Sequence, residues 1–380
     1  MEIKNINTGL VLKAIEEHSP ISRADIGKII GLTPPTVSAI VKNLIERNIV
    51  QEIGKGNSSG GKKPILLKLN TDTAFTIALD LGAENGLRIA LLNLSYQIVY
   101  EKNGPKIESF QSQKLKNTLS IVINNFLKEI NIPEDKIVKI CVGVPGIIDF
   151  KERKLTVAPY LNWEISLDDL TPADVEIPII FENDVNLMAL GEKINGIAQG
   201  FNDFIFVGER NGIGAGIVIN GKLYQGANNA AGEIGYLFID PDYAPENPRD
   251  YGCLEKLASY RVIVEKARKK IDKNIRIPDI FRLALEGNSI ALEIIQDTLR
   301  FLAYGISNVS CVLDPELIVI GGGISILPSS FLEEIRVTLH KLIPFVPSIE
   351  FSKLGEDGVL IGAAVKVFEP LKKKGLALIN

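Results

Sequence analysis

An acidic residue at the end of a predicted strand is the first candidate for chemistry. Asp184 follows the apolar run Ile179 to Phe181 and opens a predicted helix. Acidic side chains at strand ends of α/β sheets face the ligand crevice. A carboxylate there can accept the proton of a hydroxyl group that attacks a phosphoryl group. Asp184 is therefore a candidate catalytic base, and the alternative is an ordinary helix cap.

Two glutamates in glycine-bearing segments are candidates for binding a polyhydroxyl ligand. Glu233 lies in the segment Ala231-Gly232-Glu233-Ile234-Gly235, and Glu255 ends the segment Gly252-Cys253-Leu254-Glu255. Buried carboxylates that accept hydroxyl groups reject analogues that lack those groups. The alternative for each is an ordinary surface glutamate.

Three glycine clusters follow predicted buried strands. Thr76 to Leu81 and Phe204 to Val207 each lead into a glycine turn, the second of which is predicted as a loop from Gly208 to Gly216. The strand Leu317 to Ile320 leads into Gly321-Gly322-Gly323. Backbone N–H groups of such turns bind phosphate oxygens, although a single cluster is more often only a tight turn. The candidate phosphate-binding residues are Asp80, Gly82, Asn211, Gly212, Gly214, Gly322 and Gly323.

The strands that carry these residues predict the architecture of the larger part of the chain. Second strands are predicted at Leu87 to Leu94 and Ile217 to Ile219, so a strand–glycine turn–strand unit occurs in each half. This repetition predicts a duplicated α/β fold. Predicted helices between the strands lie near residues 115–130, 185–194, 255–270, 289–312 and 330–342.

The first seventy residues predict three helices followed by a hairpin. Ser22 and Asp25 form a capping-box pattern at the start of the second helix, and Gly31 supplies the turn that follows it. Thr33 caps the third helix, which has two prolines in its first turn. Two short helices joined by a glycine turn are typical of DNA-binding helix-turn-helix units. The alternative is a helical trio used for dimerisation.

The third helix and the hairpin wing supply the predicted DNA contacts. The wing strands are predicted at Ile49 to Ile53 and Ile65 to Leu69. Short hydroxyl side chains let a helix approach the major groove, and lysines bind phosphates or a narrow minor groove. Residues 1–70 hold ten Lys and Arg against six Asp and Glu, a net charge of +4 in a chain of −4. The candidate DNA-binding residues are Thr33, Pro35, Thr36, Ser38, Lys42, Lys62 and Lys63.

Composition excludes several classes of protein. The 380 residues include three cysteines without a CxxC pair and only two histidines, which argues against disulfides and against a metal site. No apolar run is long enough for a membrane span, and Met1 to Thr8 lack the apolar stretch of a secretory signal. We expect a cytoplasmic protein without membrane contact.

Together these blocks resemble the ROK family of repressors, open reading frames and kinases. The most specific pieces are Glu182 to Glu192, Gly221 to Gly235 and Gly252 to Glu255, supported by Val142 to Gly146 and Ile318 to Ile324. The layout is similar to that of the family's N-acetylglucosamine and xylose repressors. The resemblance implies a winged helix-turn-helix at 1–70 and a two-lobed, actin-like hexokinase fold at 71–380. The lobes are expected at about 71–183 with a C-terminal return, and at 184–365. The resemblance implies sugar contacts from Gly146, Asn183, Asp184, Glu233, Tyr236 and Glu255, with Asp184 as the base of a kinase.

The chain also departs from the family's kinase motifs. Ala83 and Glu84 stand where the kinases have Gly-Thr, so a negative charge lies where ATP phosphates would bind. Asn211 replaces a threonine of the second glycine loop, and Tyr236 replaces a histidine that binds zinc and sugar. Only Cys253 remains of the zinc motif. We therefore expect no zinc and no required cofactor, with ATP and Mg²⁺ only if kinase activity is retained.

Three functions remain open at this point. The first is a sugar-responsive repressor of carbohydrate genes, a homodimer or tetramer that binds double-stranded operator DNA. The second is an ATP-dependent kinase for N-acetylglucosamine or glucose, and the third is a scaffold whose cleft binds nothing. A panel of sugars separates them by turnover, by binding alone or by no effect on stability.

Overall fold

The computed structural model describes residues 2–56, 63–83, 86–107, 112–156, 164–210, 212–247 and 250–376. Its N-terminal part has the three predicted helices and the predicted hairpin. The helices are α1 (Glu2–His18), α2 (Arg23–Ile30) and α3 (Pro34–Glu46), and the strands are β1 (Ile21–Ser22), β2 (Val50–Lys55) and β3 (Ile65–Leu69). The strands form one antiparallel sheet in the order β1-β3-β2, so the wing is anchored by a short third strand that the sequence did not predict.

Local hydrogen bonds fix the turn between α2 and α3. Ser22 caps α2 by accepting a hydrogen bond from the Asp25 backbone N–H at 3.2 Å, and Gly31 ends the helix at a φ of 70°. That conformation favours glycine because it has no Cβ. Thr33 takes the cap position of α3, but its hydroxyl pairs with the Thr36 hydroxyl at 2.9 Å and caps no backbone N–H. Thr33 is therefore the N-cap residue, as predicted, although its hydroxyl pairs with Thr36 and not with the backbone.

The first lobe is built on a five-stranded sheet of order β11-β7-β4-β5-β6. Its strands are β4 (Phe75–Asp80), β5 (Arg88–Asn93), β6 (Ile98–Asn103), β7 (Ile137–Val144) and β11 (Ile179–Asn183). A small antiparallel sheet and two helices complete the lobe: β8 (Ile147–Asp149), β9 (Lys154–Thr156), β10 (Glu164–Ser166), α4 (Ser112–Glu129) and α5 (Leu167–Leu170). The small sheet was not predicted, because its three-residue strands are too short to show a hydrophobic period.

The second lobe repeats the plan of the first. Its strands are β12 (Phe204–Glu209), β13 (Ile213–Ile219), β14 (Lys222–Tyr224), β15 (Leu317–Gly322) and β16 (Ser348–Phe351). The order β14-β13-β12-β15-β16 has the same sequence of antiparallel and parallel pairs as the first sheet, which confirms the predicted duplication. Its helices are α7 (Cys253–Ala258), α8 (Tyr260–Lys270), α9 (Ile277–Leu285), α10 (Ser289–Leu313) and α11 (Leu332–Leu342).

The predicted glycine loop from Gly208 to Gly216 is mostly strand, which corrects the sequence interpretation. β12 and β13 pair so that Gly208 faces Gly214 across the ladder. A Cβ on Gly208 would lie 3.0 Å from the methyl groups of Val185, and one on Gly216 would lie 2.5 Å from the Ala189 side chain. These glycines therefore let α6 lie close to the sheet. In the sequence alone, the same glycine pattern predicts a phosphate-binding loop.

Two long helices lie between the lobes. They are α6 (Asp184–Asn195) and α12 (Asp357–Lys373), of which α12 was not predicted. α6 packs on β12 and β13 of the second lobe, whereas α12 packs on α1 and on β4, β5 and β7 of the first lobe. The helices touch each other at glycines: a Cβ on Gly362 would lie 1.8 Å from the Leu187 carbonyl oxygen. This close crossing fixes α6, and with it Asp184, against both lobes.

In the part of the chain that the structure describes, each helix is too short or too polar to cross a bilayer.

Candidate functional site

Asp184 lies at the bottom of the cleft between the lobes, as the first residue of α6. Asn183 is the helix cap, because its Oδ1 accepts a hydrogen bond from the Asn186 N–H at 3.0 Å. The Asn183 amide also donates to the Gly146 carbonyl oxygen at 3.0 Å, which ties the end of β11 to the turn after β7. Asp184 Oδ1 accepts the N–H of Val185 at 2.9 Å. The capping role that the sequence allowed for Asp184 thus belongs to Asn183, and the Asp184 carboxylate is buried with its two oxygens on the Val185 N–H and on Arg210.

Arg210 is the functional residue that the sequence reasoning missed. It follows β12 in the second lobe, and its guanidinium makes a two-pronged contact with Asp80 of the first lobe, Nη1–Oδ1 at 3.2 Å and Nη2–Oδ2 at 2.8 Å. Nη1 also donates to Asp184 Oδ2 at 2.9 Å. All three side chains are buried. The signal in the sequence was a single arginine inside the glycine segment from Gly208 to Gly216.

Burial and these charges set the protonation of the cluster. Burial raises the pKa of Asp184 to about 6; the positive charge of Arg210 acts against this rise, and the negative charge of Asp80 adds to it. Burial also acts to lower the pKa of Arg210, but Asp80 and Asp184 outweigh burial and hold the pKa of Arg210 above its ordinary value. The guanidinium therefore stays charged, and Asp184 is largely ionised at neutral pH.

A magnesium ion with nucleotide phosphates does not fit between these acids. Both oxygens of Asp80 accept hydrogen bonds from Arg210, and Oδ1 also accepts the Gly82 N–H at 2.9 Å. A Cβ on Gly82 would lie 2.8 Å from Asp184 Oδ2 and 3.3 Å from Arg210 Nη1, so the guanidinium packs directly on the first glycine turn. Arg210 thus fills the space between the two acids where a metal–phosphate group would have to lie.

The predicted phosphate-binding residues do not form one cradle. Gly82, Gly322 and Gly323 line a cavity of about 390 Å³ together with Arg210. Gly212 lies elsewhere, because a Cβ on it would be 2.4 Å from Glu255 Oε1. The other predicted members are Asp80 on Arg210, Gly214 inside β13, and Asn211, which lies outside the described residues.

Glu233 lies close enough to Asp184 to interact with its charge, and Glu255 interacts with Glu233. Burial raises the pKa of Glu233 to about 7, and the negative charge of Asp184 raises it further. Burial likewise raises the pKa of Glu255 to about 7, with a second contribution from Glu233. Near neutral pH such carboxyl groups both donate and accept hydrogen bonds, as a sugar hydroxyl does. Tyr236 lies beside them, and burial followed by the charge of Glu255 raises its pKa to about 12.

The remaining cysteine of the predicted zinc motif bonds to backbone. Cys253 Sγ accepts the N–H groups of Ile239 and Asp240 at 3.3 Å, and its S–H donates to the Asp240 carbonyl oxygen. Within the described ranges, no three His, Cys, Asp or Glu side chains lie close enough to hold a metal ion.

The candidate DNA-binding residues lie on one exposed side of α3 and on the wing. Thr33, Pro35, Ser38, Lys42 and Lys63 are exposed and Thr36 is half-buried, whereas Lys62 lies outside the described residues. Asn43 is exposed beside Lys42 and was not predicted. Its position follows Thr36 at helical spacing, and an asparagine amide can read an adenine edge in the major groove.

A second ion cluster, which we call the joint, is centred on the buried Lys372 and connects the DNA-binding helices to α12. The ammonium group of Lys372 contacts the Glu16 carboxylate of α1 and donates to the Tyr96 hydroxyl at 2.7 Å. The Tyr96 hydroxyl donates in turn to Glu369 at 2.7 Å. Arg47, at the end of α3, donates to the backbone carbonyl oxygens of residues 375 and 376. α12 therefore contacts both α6, which begins at Asp184, and α1.

Comparison with known proteins gives two family matches. The pattern of the ROK family matches residues 76–369, and the pattern described as winged helix-turn-helix DNA-binding matches residues 4–51. The xylose repressor of Bacillus subtilis (strain 168) is 31% identical over 366 residues, which cover 96% of this chain and 92% of that protein.

Two solved structures are similar over most of the chain. A ROK family transcriptional regulator, described as a homolog of the E. coli MLC protein, has a TM-score of 0.80 and 26% identity, over 100% of this chain and 98% of its own. A ROK family glucokinase from Streptomyces griseus, in complex with glucose and AMPPNP, has a TM-score of 0.67 and 22% identity over 78% of this chain and 100% of its own. The second likeness, at that identity, is one of fold.

Proposed function

The chain belongs to the ROK family, and we propose that it is a DNA-binding transcriptional repressor of carbohydrate genes whose operator affinity depends on a sugar. The family match and the winged helix-turn-helix confirm the predicted fold class. The observation that carries the proposal is the continuous contact from Asp184 through α6 and α12 to α1. A ligand on Asp184 thereby bears on the helices that hold the DNA-contacting face.

The effector in this proposal is a neutral sugar, of which xylose is the first to test. Supporting this choice are the name of the Bacillus subtilis relative and the neighbouring acids, of which Asp184 interacts with Glu233 and Glu233 with Glu255. Asn183 and Gly146 border Asp184, and Tyr236 borders the glutamates. Buried acids of this kind select hydroxyl-rich ligands, because an analogue without the hydroxyl leaves them unpaired.

Repression requires two DNA-binding units at a fixed spacing. We propose a homodimer or tetramer in the cytoplasm that binds symmetric half-sites one helical turn, or a multiple of it, apart. The sugar favours a different arrangement of the two units, and a coupling of about 1–3 kcal/mol is sufficient.

The proposal is tested by anisotropy with a duplex from the chain's own upstream region. We expect binding that weakens with added salt, as phosphate contacts require, and that weakens further with one sugar of a panel led by xylose. Absence of binding at low salt, or binding that no sugar changes, contradicts the proposal.

A second candidate function is an ATP-dependent hexose kinase, favoured by Asp184 and the glycine turns. Arg210 argues against it, because its guanidinium pairs with the acids that would have to serve metal and base. An ATP-coupled assay over N-acetylglucosamine and glucose decides between the functions. Turnover that Asp184→Asn abolishes would establish the kinase, and sugar binding without turnover supports the repressor.

A further inference from the structure

Arg210 connects the two lobes across the floor of the cleft. It leaves β12 in the second lobe, grips Asp80 at the end of β4 in the first lobe, and contacts Asp184 at the start of α6. We propose that Arg210 is a positioning residue. Its guanidinium holds the Asp184 carboxylate in position for a neutral sugar, so that sugar binding requires neither a nucleotide nor a metal ion. This inference rests on the proposed sugar-binding function.

The negative charges of Asp80 and Asp184 require a cation between them. Asp80 and Asp184 approach the same guanidinium from two sides, and both carboxylates are buried. Two carboxylates that share a site without a cation repel each other, and one of them takes up a proton. A cation is therefore required if Asp184 is to accept a sugar hydroxyl as an ionised carboxylate. Arginine supplies that cation at every physiological pH.

The geometry of the guanidinium contacts fixes the orientation of Asp184. The two parallel contacts to Asp80 use the planar fork of the guanidinium, which fixes its orientation as well as its distance. The third contact then places Asp184 Oδ2, while the N–H of Val185 holds Oδ1. Asp184 is thus oriented from both lobes before any ligand arrives, and such preorganisation reduces the cost of binding.

The groups around Asp184 limit the class of ligand that can bind there. Arg210 packs on Gly82, so the side of Asp184 that faces the first glycine turn is filled. The charge of Asp184 also reaches Glu233, so a ligand between these two residues lies between two carboxyl groups. A ligand bound there is a hydroxyl donor without negative charge, because a phosphate would meet Asp184 and Glu233 together. The expected ligand class is the unphosphorylated sugar.

Without the guanidinium, a divalent cation should be able to replace its positive charge and increase sugar affinity. In Arg210→Ala the two carboxylates of Asp80 and Asp184 remain, and hard oxygen ligands of this type bind Mg²⁺. We expect the variant to bind sugar poorly alone and to regain part of its affinity with MgCl₂. The wild type should show no response to MgCl₂. A purely structural role for Arg210 gives no such response.

The pH dependence gives a second readout. Three charged groups interact with Asp184 directly: Asp80 at the end of β4, Arg210 after β12, and Glu233. Two further acids interact with these groups: Glu255 of α7 with Glu233, and Glu356, just before α12, with Arg210. Removing Arg210 removes the charge that lowers the pKa of Asp184, so Asp184 stays protonated to a higher pH. The pH below which sugar affinity falls should therefore rise in Arg210→Gln.

The experiment is calorimetric titration of full-length protein with the sugar that the panel selects, at several pH values, with and without MgCl₂. We expect Arg210→Gln to lose about tenfold or more in affinity at neutral pH, as for loss of a charged hydrogen bond. Arg210→Lys should recover part of the loss, since it keeps the charge without the fork. Arg268→Gln is the matched control, because Arg268 lines the same cavity and is exposed.

The results separate this inference from the proposed function. If wild type binds sugar and Arg210→Gln binds equally at each pH without a MgCl₂ effect, the inference is overturned and the function stands. If wild type binds no sugar, both fail. Should Arg210→Gln not fold, the double variant Asp80→Asn/Arg210→Gln removes one charge of each sign. That pair must still show the raised pH for sugar binding, and an unchanged pH profile overturns the inference.

Discussion

Two ion clusters, each centred on a buried cation, connect the parts of this molecule, and they differ in that cation. The cluster in the cleft joins the lobes through Arg210, whose charge is fixed and whose fork is rigid. The joint connects α12 to the DNA-binding helices through Lys372, a flexible side chain whose pKa burial lowers. The guanidinium in the cleft is therefore more firmly oriented than the ammonium group in the joint. We infer that movement of the DNA-binding unit relative to α12 arises at the joint.

The largest expected effect comes from breaking the joint. Lys372→Ala removes the charged hydrogen bonds that the ammonium group makes with Glu16 and the Tyr96 hydroxyl, which should cost about 2 kcal/mol in the free energy of unfolding. Because α1 then loses a main contact with α12, we also expect operator binding that no longer responds to sugar. Denaturant unfolding and anisotropy measure the two effects.

Lys373→Ala is the control for the joint. Lys373 is the next residue of α12, its side chain is 72% exposed, and it makes only a surface pair with Glu369. Its removal should change stability by less than about 0.5 kcal/mol and leave the sugar response intact. Equal effects of the two variants would show that the joint does not link sugar binding to operator binding.

The next effect comes from the other end of the path. Asp184→Asn keeps the size of the side chain and removes its charge, so sugar affinity should fall about tenfold or more. Arg210 keeps its two contacts with Asp80, so the variant should still fold and bind DNA. Calorimetry and anisotropy on one preparation test both statements, and loss of DNA binding with a folded protein would contradict them.

A smaller effect is the pH dependence of sugar binding. The pKa of Asp184 is about 6 and those of Glu233 and Glu255 are about 7, all raised from their ordinary values. As pH falls from 8 to 5 these groups become protonated, and acceptors for sugar hydroxyls are lost. Sugar affinity should therefore decline through that interval, and constant affinity down to pH 5 would show that the acids do not bind the sugar.

The remaining effects are expected on the DNA-contacting face, where that of Lys42→Ala is the smallest. Lys42→Ala removes one phosphate contact, so affinity should fall similarly for all sequences and the salt slope should decrease by about one. Asn43→Ala, in contrast, should reduce discrimination at one base pair by about 1–3 kcal/mol. Salt titrations on operator and random duplexes distinguish these effects, and reversed behaviour of the two variants would require a different docking of α3.

Local signals predicted much of this molecule. The cap at Ser22, the turn at Gly31 and the position of Asp184 at a strand end depend on neighbouring residues, which a sequence displays directly. The glycine segment after Gly208 was misassigned because a glycine that binds phosphate and one that admits a helix look alike in sequence. The two differ only in what packs above them, here Val185 and Ala189.

The two ion clusters were beyond local reasoning. Arg210 meets an acid 130 residues earlier in the chain, and Lys372 meets one 356 residues earlier. α12 escaped prediction because it is apolar on nearly all sides in its first half, where it is buried between α6 and the first-lobe sheet. A helix of that kind lacks the one-sided period by which amphipathic helices are recognised.

The most direct test of the central claim is a measurement of coupling in both directions. Operator affinity is measured with and without saturating sugar, and sugar affinity with and without saturating operator DNA. If the cleft and the DNA-binding face are linked, both ratios are the same, within the range of about 5–150-fold that is usual for linked sites. If both ratios are one while each ligand binds, the cleft and the DNA-binding unit act independently and the account is contradicted.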